Sequence, residues 1–240
     1  MNKVILTATL ATAIAFAGCS PQQSPTNKTA PASATLPATA APAKIDVPAG
    51  AYTLDKPHST LTFHVSHMGF SNYVARFTGL DAQLQFDPAD QGAASLSVTV
   101  DPRSLDLNNP PPGFADELRG PNWLDAAKYP QMTYRSTAVE VTGPNALRIT
   151  GDLTLHGATH PVVLDATFNG GYAGHPMDPH ARIGFSAHGT FKRSDFGIAY
   201  GVPAPGTTMG VSDAVQVVIE TEFSGPAWAN AAAAPATPAA

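Results

Sequence analysis

The side chains best suited to chemistry in this 240-residue chain are its eight histidines. His64 and His67 stand three residues apart, a spacing that sends them to opposite faces of a strand and prevents local chelation. His58, His64 and His67 would converge only through the fold. His156 and His160 flank a tight turn and are expected to be solvated, while His175 and His180 sit in the Gly/Pro loop GGYAGHPMDPHA. A metal centre needs three or four converging ligands with a supporting shell, and no such motif is written here. Gly184-Phe185-Ser186-Ala187-His188 comes close to the G-x-S-x-G nucleophile elbow. That elbow must lie between a strand and a helix. Here the alternation continues through Phe191, which puts Ser186 on the wet face of an ordinary strand. Asp116, Glu117 and Asp125 offer carboxylates, but on solvated helical turns. No phosphate loop or dinucleotide fingerprint is present. The expectation is a protein without catalytic residues, metal or cofactor.

Composition narrows the classes further. Charged residues make up 13% of the chain, about half the usual ~25%, which excludes a coiled coil or a long charged helix. The net charge of −5 and the absence of a Lys/Arg cluster exclude a nucleic-acid binder. A single cysteine excludes a disulfide framework and a Cys-based zinc finger.

These totals average over different kinds of chain. Residues 1–19, MNKVILTATLATAIAFAGC, have the order of an export signal: Lys3, an apolar run from Val4 to Phe16, then small residues. The run is too short to span a hydrocarbon core of ~30 Å. Two processing schemes fit. Ala15-Phe16-Ala17 is an A-x-A site whose cleavage after Ala17 would release a soluble periplasmic protein. Phe16-Ala17-Gly18-Cys19 resembles a bacterial lipobox, with the chain's only cysteine at the position that is lipidated and Phe16 in place of the usual leucine. Ser20 then resembles outer-membrane sorting. Residues 20–50 hold six Pro and eight Ala, too little large apolar surface to offset ordering entropy. They read as a disordered tether reaching roughly 30 Å. Residues 226–240 repeat the bias and read as a disordered tail.

The segment 51–225 is long enough for one domain with a sizeable core. It alternates at period two almost throughout. Leu61, Phe63 and Val65 share one parity, as do Leu80, Ala82, Leu84 and Phe86, and Leu96, Val98 and Val100. The pattern returns at Leu147, Ile149, Leu153 and Leu155, at Val162 to Phe168, at Ile183 to Phe191, and at Val215 to Phe223. Such strands have one apolar and one wet face. Asp87-Pro88, Gly143-Pro144, Gly157 with Pro161, and Gly170-Gly171 punctuate them, and the short connection 157–160 favours an antiparallel hairpin. Between Pro112 and Pro130 the period fails, and two short helical turns broken at Gly120-Pro121 fit Phe114, Leu118, Trp123 and Leu124 better. Seven or eight strands of this kind form either a sandwich or a closed barrel. Periodicity does not distinguish a filled interior from a hollow one.

Several segments together resemble the YceI-like family of lipocalin-like periplasmic proteins that bind polyisoprenoid lipids. They are Tyr52-Thr53-Leu54-Asp55 with His58-Ser59, then Phe63-His64-Val65-Ser66-His67-Met68-Gly69, Arg76-Phe77-Thr78-Gly79 and Ser104-Leu105-Asp106. Gly151-Asp152-Leu153-Thr154-Leu155-His156-Gly157-Ala158-Thr159-His160-Pro161-Val162 matches best, followed by Phe191-Lys192-Arg193-Ser194-Asp195-Phe196-Gly197-Ile198 and Val211-Ser212-Asp213. The resemblance covers residues 51–225. It implies an all-β, antiparallel, lipocalin-like eight-stranded barrel with an apolar tunnel and a short helical insertion. Pro121-Asn122-Trp123-Leu124-Asp125 departs from the phenylalanine-rich stretch usual in the family.

If the barrel is hollow, the candidate lining residues, most of them selected by parity, are Phe63 and Val65, Phe77, Leu84 and Phe86, Val98, then Met132 and Tyr134, Leu153 and Leu155, Phe185 and Val217. The implied function is to bind and sequester or carry a polyisoprenoid or other long-chain lipid in the cell envelope, as a monomer or homodimer, without turnover. A metal- or haem-binding redox accessory protein of the periplasm is the alternative, and an amidase- or esterase-like enzyme a third class. The lipobox carries its own test. Cys19→Ser should leave a soluble or unprocessed precursor in cell fractionation; unchanged membrane partitioning would show that Cys19 is not lipidated.

Overall fold

The computed structural model describes residues 46–229. The expected signal segment with Cys19, the tether through residue 45 and the tail from residue 230 lie outside them. Among the described residues eleven strands form one antiparallel sheet: β1 (Gly50–Leu54), β2 (Thr60–His67), β3 (Ser71–Phe77), β4 (Leu80–Phe86), β5 (Ser95–Val100), β6 (Leu105–Leu107), β7 (Met132–Val141), β8 (Ala146–Leu155), β9 (Ala158–Tyr172), β10 (His180–Lys192) and β11 (Ala214–Ala227). Their order is β1-β4-β5-β7-β8-β9-β10-β11-β2-β3-β6, and β1 also pairs with β11. That last pairing closes β1, β4, β5, β7, β8, β9, β10 and β11 into an eight-stranded barrel, which leaves these strands no free edge.

The remaining strands branch from the ring. Along one edge of β11, Gln216 to Glu220 pair with β2, whereas Phe223 and Ser224 pair with β1. β1 and β2 are thus consecutive halves of one edge, separated by a single 3-10 turn at Lys56–His58. β4 and β3 repeat the division, as do β5 and β6 on either side of a 3-10 turn at Pro102–Ser104. The flap β2-β3-β6 ends at β6, where α1 (Phe114–Arg119) meets it: Arg119 Nη2 donates to the Leu105 carbonyl at 2.7 Å. Phe114 and Leu118 pack there with Leu105, Leu107 and Ala75.

Local readings differ from expectation at several points. Only one helix forms between Pro112 and Pro130. Gly120 is extended, and Asp125 turns back at φ 43 to donate its N–H to the Gly120 carbonyl at 2.8 Å. The β8–β9 connection is two residues, His156 and Gly157, at φ 53 and 80, with Leu155 paired to Ala158. Both angles positive is the turn geometry that follows strand twist, so Ala158 to His160 belong to β9. Gly170-Gly171 lies inside β9 at a bulge, because Gly184 pairs with Gly170 while Phe185 pairs with Phe168. The barrel also takes in residues on either side of 51–225: Val47 is in the core, Tyr52 donates to the Pro48 carbonyl at 2.7 Å, and β11 runs on to Ala227.

An ionic cluster ties β1 to β10. Arg182 donates to Asp55 and to Asp178, the latter at 2.9 Å, and Asp178 also accepts from the Tyr172 hydroxyl at 2.7 Å. Burial acts to raise the Asp55 carboxyl, but hydrogen bonds from His58 and Arg182 outweigh it and hold the group below its ordinary value. The folded state therefore binds fewer protons here than the unfolded chain, whose carboxyl titrates near pH ~4. This stabilisation is complete above that pH and is lost as pH falls through the folded value. Asp55→Asn should cost about 1–2 kcal/mol near pH 7 and progressively less toward pH 3. Thermal melts across that range check it; an offset constant with pH would contradict the assignment.

Candidate ligand-binding cavity

Period-two strands curled into a ring send every side chain of one parity inward. In this barrel those side chains do not fill the interior. A cavity of about 580 Å³ runs through it, walled almost wholly by carbon. The accessibility of the inward residues reports the same thing. Phe63, Val65, Leu96, Val98, Leu153, Phe185, Val217 and Ile219 all point inward yet are only half-buried, whereas side chains in a filled core would be sealed.

All twelve residues expected to line a tunnel line this cavity: Phe63 and Val65 from β2, Phe77 from β3, Leu84 and Phe86 from β4, and Val98 from β5. Met132 and Tyr134 come from β7, Leu153 and Leu155 from β8, Phe185 from β10 and Val217 from β11. Phe86, Phe168, Phe185 and Phe223 pack edge-on and stacked, with centroids 5.4–6.3 Å apart along the contacting pairs. Tyr134 spans the wall without offering chemistry. Its hydroxyl lies 3.1 Å from the Ile149 carbonyl and 3.2 Å from that of Val162, and burial, with Asp152 adding, pushes its pKa far up. Its ring lies against Gly151, where a Cβ would come within 2.4 Å of it. That close approach explains a glycine in mid-strand.

The wall also contains groups that parity does not reveal. Phe114 and Leu118 from α1, with Trp123 and Leu124 after it, cover the end of the cavity beside the flap. Their apolar character is visible in the sequence, but their position depends on where the insertion docks. Arg193, a residue only 4% exposed, is part of the same wall. It looks like a surface charge beside Lys192 in the sequence, and only the fold turns it inward.

The other chemical candidates do not assemble. His67 reaches the cavity end, while His64 shares β2 with it on the opposite face. His156 is not solvated: its Nδ1 lies 3.1 Å from the Phe196 carbonyl and its ring 4.7 Å from Tyr129, because the two-residue turn folds it onto the 3-10 turn at 193–196. Among the described residues, one group has ligand atoms close enough for a metal, Asp55, His58 and Glu222. Asp55 already accepts from Arg182, whose charge opposes a bound cation, so the group suits an ion pair better. Ser186 lies on the outer face of β10, donating to Glu220 at 2.5 Å and accepting from Asn169 at 2.9 Å. Strand continues on both sides of it, and its hydroxyl engages Glu220 rather than a histidine.

The YceI-like domain model matches residues 52–223. A UPF0312 protein of Vibrio cholerae is 36% identical over 195 residues, covering 78% of this chain and 96% of that protein. Among solved structures, BcnA of Burkholderia cenocepacia superposes with a TM-score of 0.59 at 28% identity, over 70% of this chain and 98% of its own. The YCEI protein of Campylobacter jejuni gives 0.57 at 31% identity, over 67% and 90%. A polyisoprenoid binding domain from Saccharophagus degradans shares the fold at 16% identity, with a TM-score of 0.50 over 73% and 98%. The architecture, the domain match and these relatives together place the chain in the YceI-like family.

Proposed function

We propose that the barrel binds a long apolar molecule, a polyisoprenoid or similar lipid, and sequesters or carries it in the bacterial cell envelope without chemical turnover. The observation that carries this reading is the cavity itself, about 580 Å³ of space inside an apolar wall. A hydrocarbon chain lying against such a wall makes dispersion contacts along its length. Each CH₂ taken from water contributes ~0.8 kcal/mol, so a chain with roughly ten buried carbons gains on the order of 8 kcal/mol before the cost of immobilising it. The shared fold with a domain described as polyisoprenoid binding supports the same ligand class. In this reading the periplasmic domain hangs from the outer membrane by a lipidated Cys19 and the tether that runs from it to the barrel. The soluble form cleaved after Ala17 is the other arrangement.

Two measurements test the reading. Native mass spectrometry of the full chain purified from bacterial envelopes should show a mass increment that organic extraction removes and added prenyl alcohols restore. A protein that is empty and takes up no prenyl chain would contradict the proposal. Val98→Phe adds bulk where the cavity has room, so it should cost less than about 1 kcal/mol in denaturant unfolding, against the 1–3 kcal/mol typical of overpacking a filled core. The same variant should take up less lipid. A large loss of stability, or uptake unchanged, would mean that Val98 does not border usable space.

A further inference from the structure

The cavity wall is mostly carbon, with Thr133, Tyr134 and Thr221 on its strands and His67 at the flap end, and at the end covered by the insertion two groups that can only donate hydrogen bonds meet. Arg193 lies with its guanidinium carbon 5.1 Å from the Trp123 ring centroid, and both residues line the cavity. Four of the five guanidinium N–H groups are engaged by carbonyls: Nε with Ser212 at 3.0 Å, Nη1 with Ile198 at 2.9 Å and Tyr200 at 2.8 Å, and Nη2 with Val211 at 2.9 Å. Those partners are neutral. Among the described residues no carboxylate comes within ion-pair distance of Arg193. Asp213, the acidic residue that acts on it from further off, is occupied by the Ser194 N–H and hydroxyl, at 2.9 and 2.8 Å. Beside this charge, Trp123 Nε1 is buried and has no acceptor. A buried donor without a partner is costly, and native structures satisfy nearly all of them.

We propose that Trp123 and Arg193 form a head-group subsite that holds an sp² oxygen, a carbonyl or a single carboxylate, at the end of the apolar chain. This rests on the reading that the barrel holds such a chain. Two donors call for an acceptor oxygen, and a carbonyl or carboxylate accepts from both without bringing a proton of its own, whereas a hydroxyl or amine adds a donor that needs a further acceptor. One cation in an apolar setting balances at most one negative charge, so a diphosphate would leave buried charge unpaired. The carbonyl could end a prenyl chain and the carboxylate a fatty acid; the chemistry at the subsite is the same.

Trp123→Phe keeps the ring and removes the N–H, and it spares Arg193, which also fastens both ends of the 198–212 loop. The full chain and this variant are titrated with farnesylacetone, palmitate, farnesyl diphosphate and squalene, which has no oxygen. The variant should bind farnesylacetone, palmitate or both about three- to tenfold more weakly while squalene affinity stays unchanged. Loss confined to farnesylacetone assigns a prenyl carbonyl, and loss confined to palmitate a fatty acid. Indole emission in a Trp228→Phe background, where Trp123 is the remaining tryptophan, should shift with the oxygenated probe and not with squalene. Equal binding by variant and parent, an equal loss for squalene, or tightest binding of farnesyl diphosphate would overturn the subsite and leave the lipid-holding barrel standing. Failure of all four probes to bind would overturn both.

Discussion

The rest of the molecule depends on β11 having two partners along one edge. Its 14 residues extend about 45 Å, pairing with β10 on one side and, on the other, with β2 and then β1. Contact with β1 closes the ring and removes the free edges that would otherwise invite association. Contact with β2 leads the chain away from the ring into the flap. A continuous β1–β2 strand would carry one cylinder from end to end. The turn at Lys56–His58 lets the sheet divide, so one end of the cavity is covered by the insertion that packs beside β6, not by strands.

That division separates two kinds of wall. The strand-built part is nearly uniform in chemistry, because alternation admits one parity to the interior and that parity is mostly Leu, Val, Ile, Phe and Ala, with Met132, Tyr134 and Thr221 among them. The insertion end is mixed. Trp123 and Arg193 stand there among Phe114, Leu118 and Leu124, held by loop carbonyls and packing that no periodic pattern imposes. Affinity for a hydrocarbon chain belongs to the first part, and discrimination among chain ends belongs to the second.

This division also explains what could be read from the residues alone. The alternation of Phe63 and Val65, or of Leu153 and Leu155, fixes which face each residue shows, and most of the twelve lining assignments rest on that. The resemblance to a barrel family supplies closure, which parity cannot. Short segments were harder: β1, β3 and β6 are five, seven and three residues long, and the first and last carry too few alternations to stand out. Gly170-Gly171 looks like a break because a bulge uses the same residues as a turn. His156 looks solvated because its neighbours Tyr129 and Phe196 arrive from distant parts of the chain. Arg193 was illegible as a cavity residue for the same reason: all four of its acceptors lie on the segment 198–212. Whether inward side chains meet or leave space depends on the sum of their volumes against the ring's size, which alternation does not encode.

The proposed function stands on the interior of this barrel being space for an apolar chain. Calorimetric titration of the full chain with prenyl alcohols of increasing length tests it most directly. A cavity of this kind predicts affinity that rises with each isoprene unit and levels off once the space is filled, with a negative heat-capacity change that grows in step as apolar surface leaves water. Affinity independent of chain length, with no heat-capacity change, would contradict it.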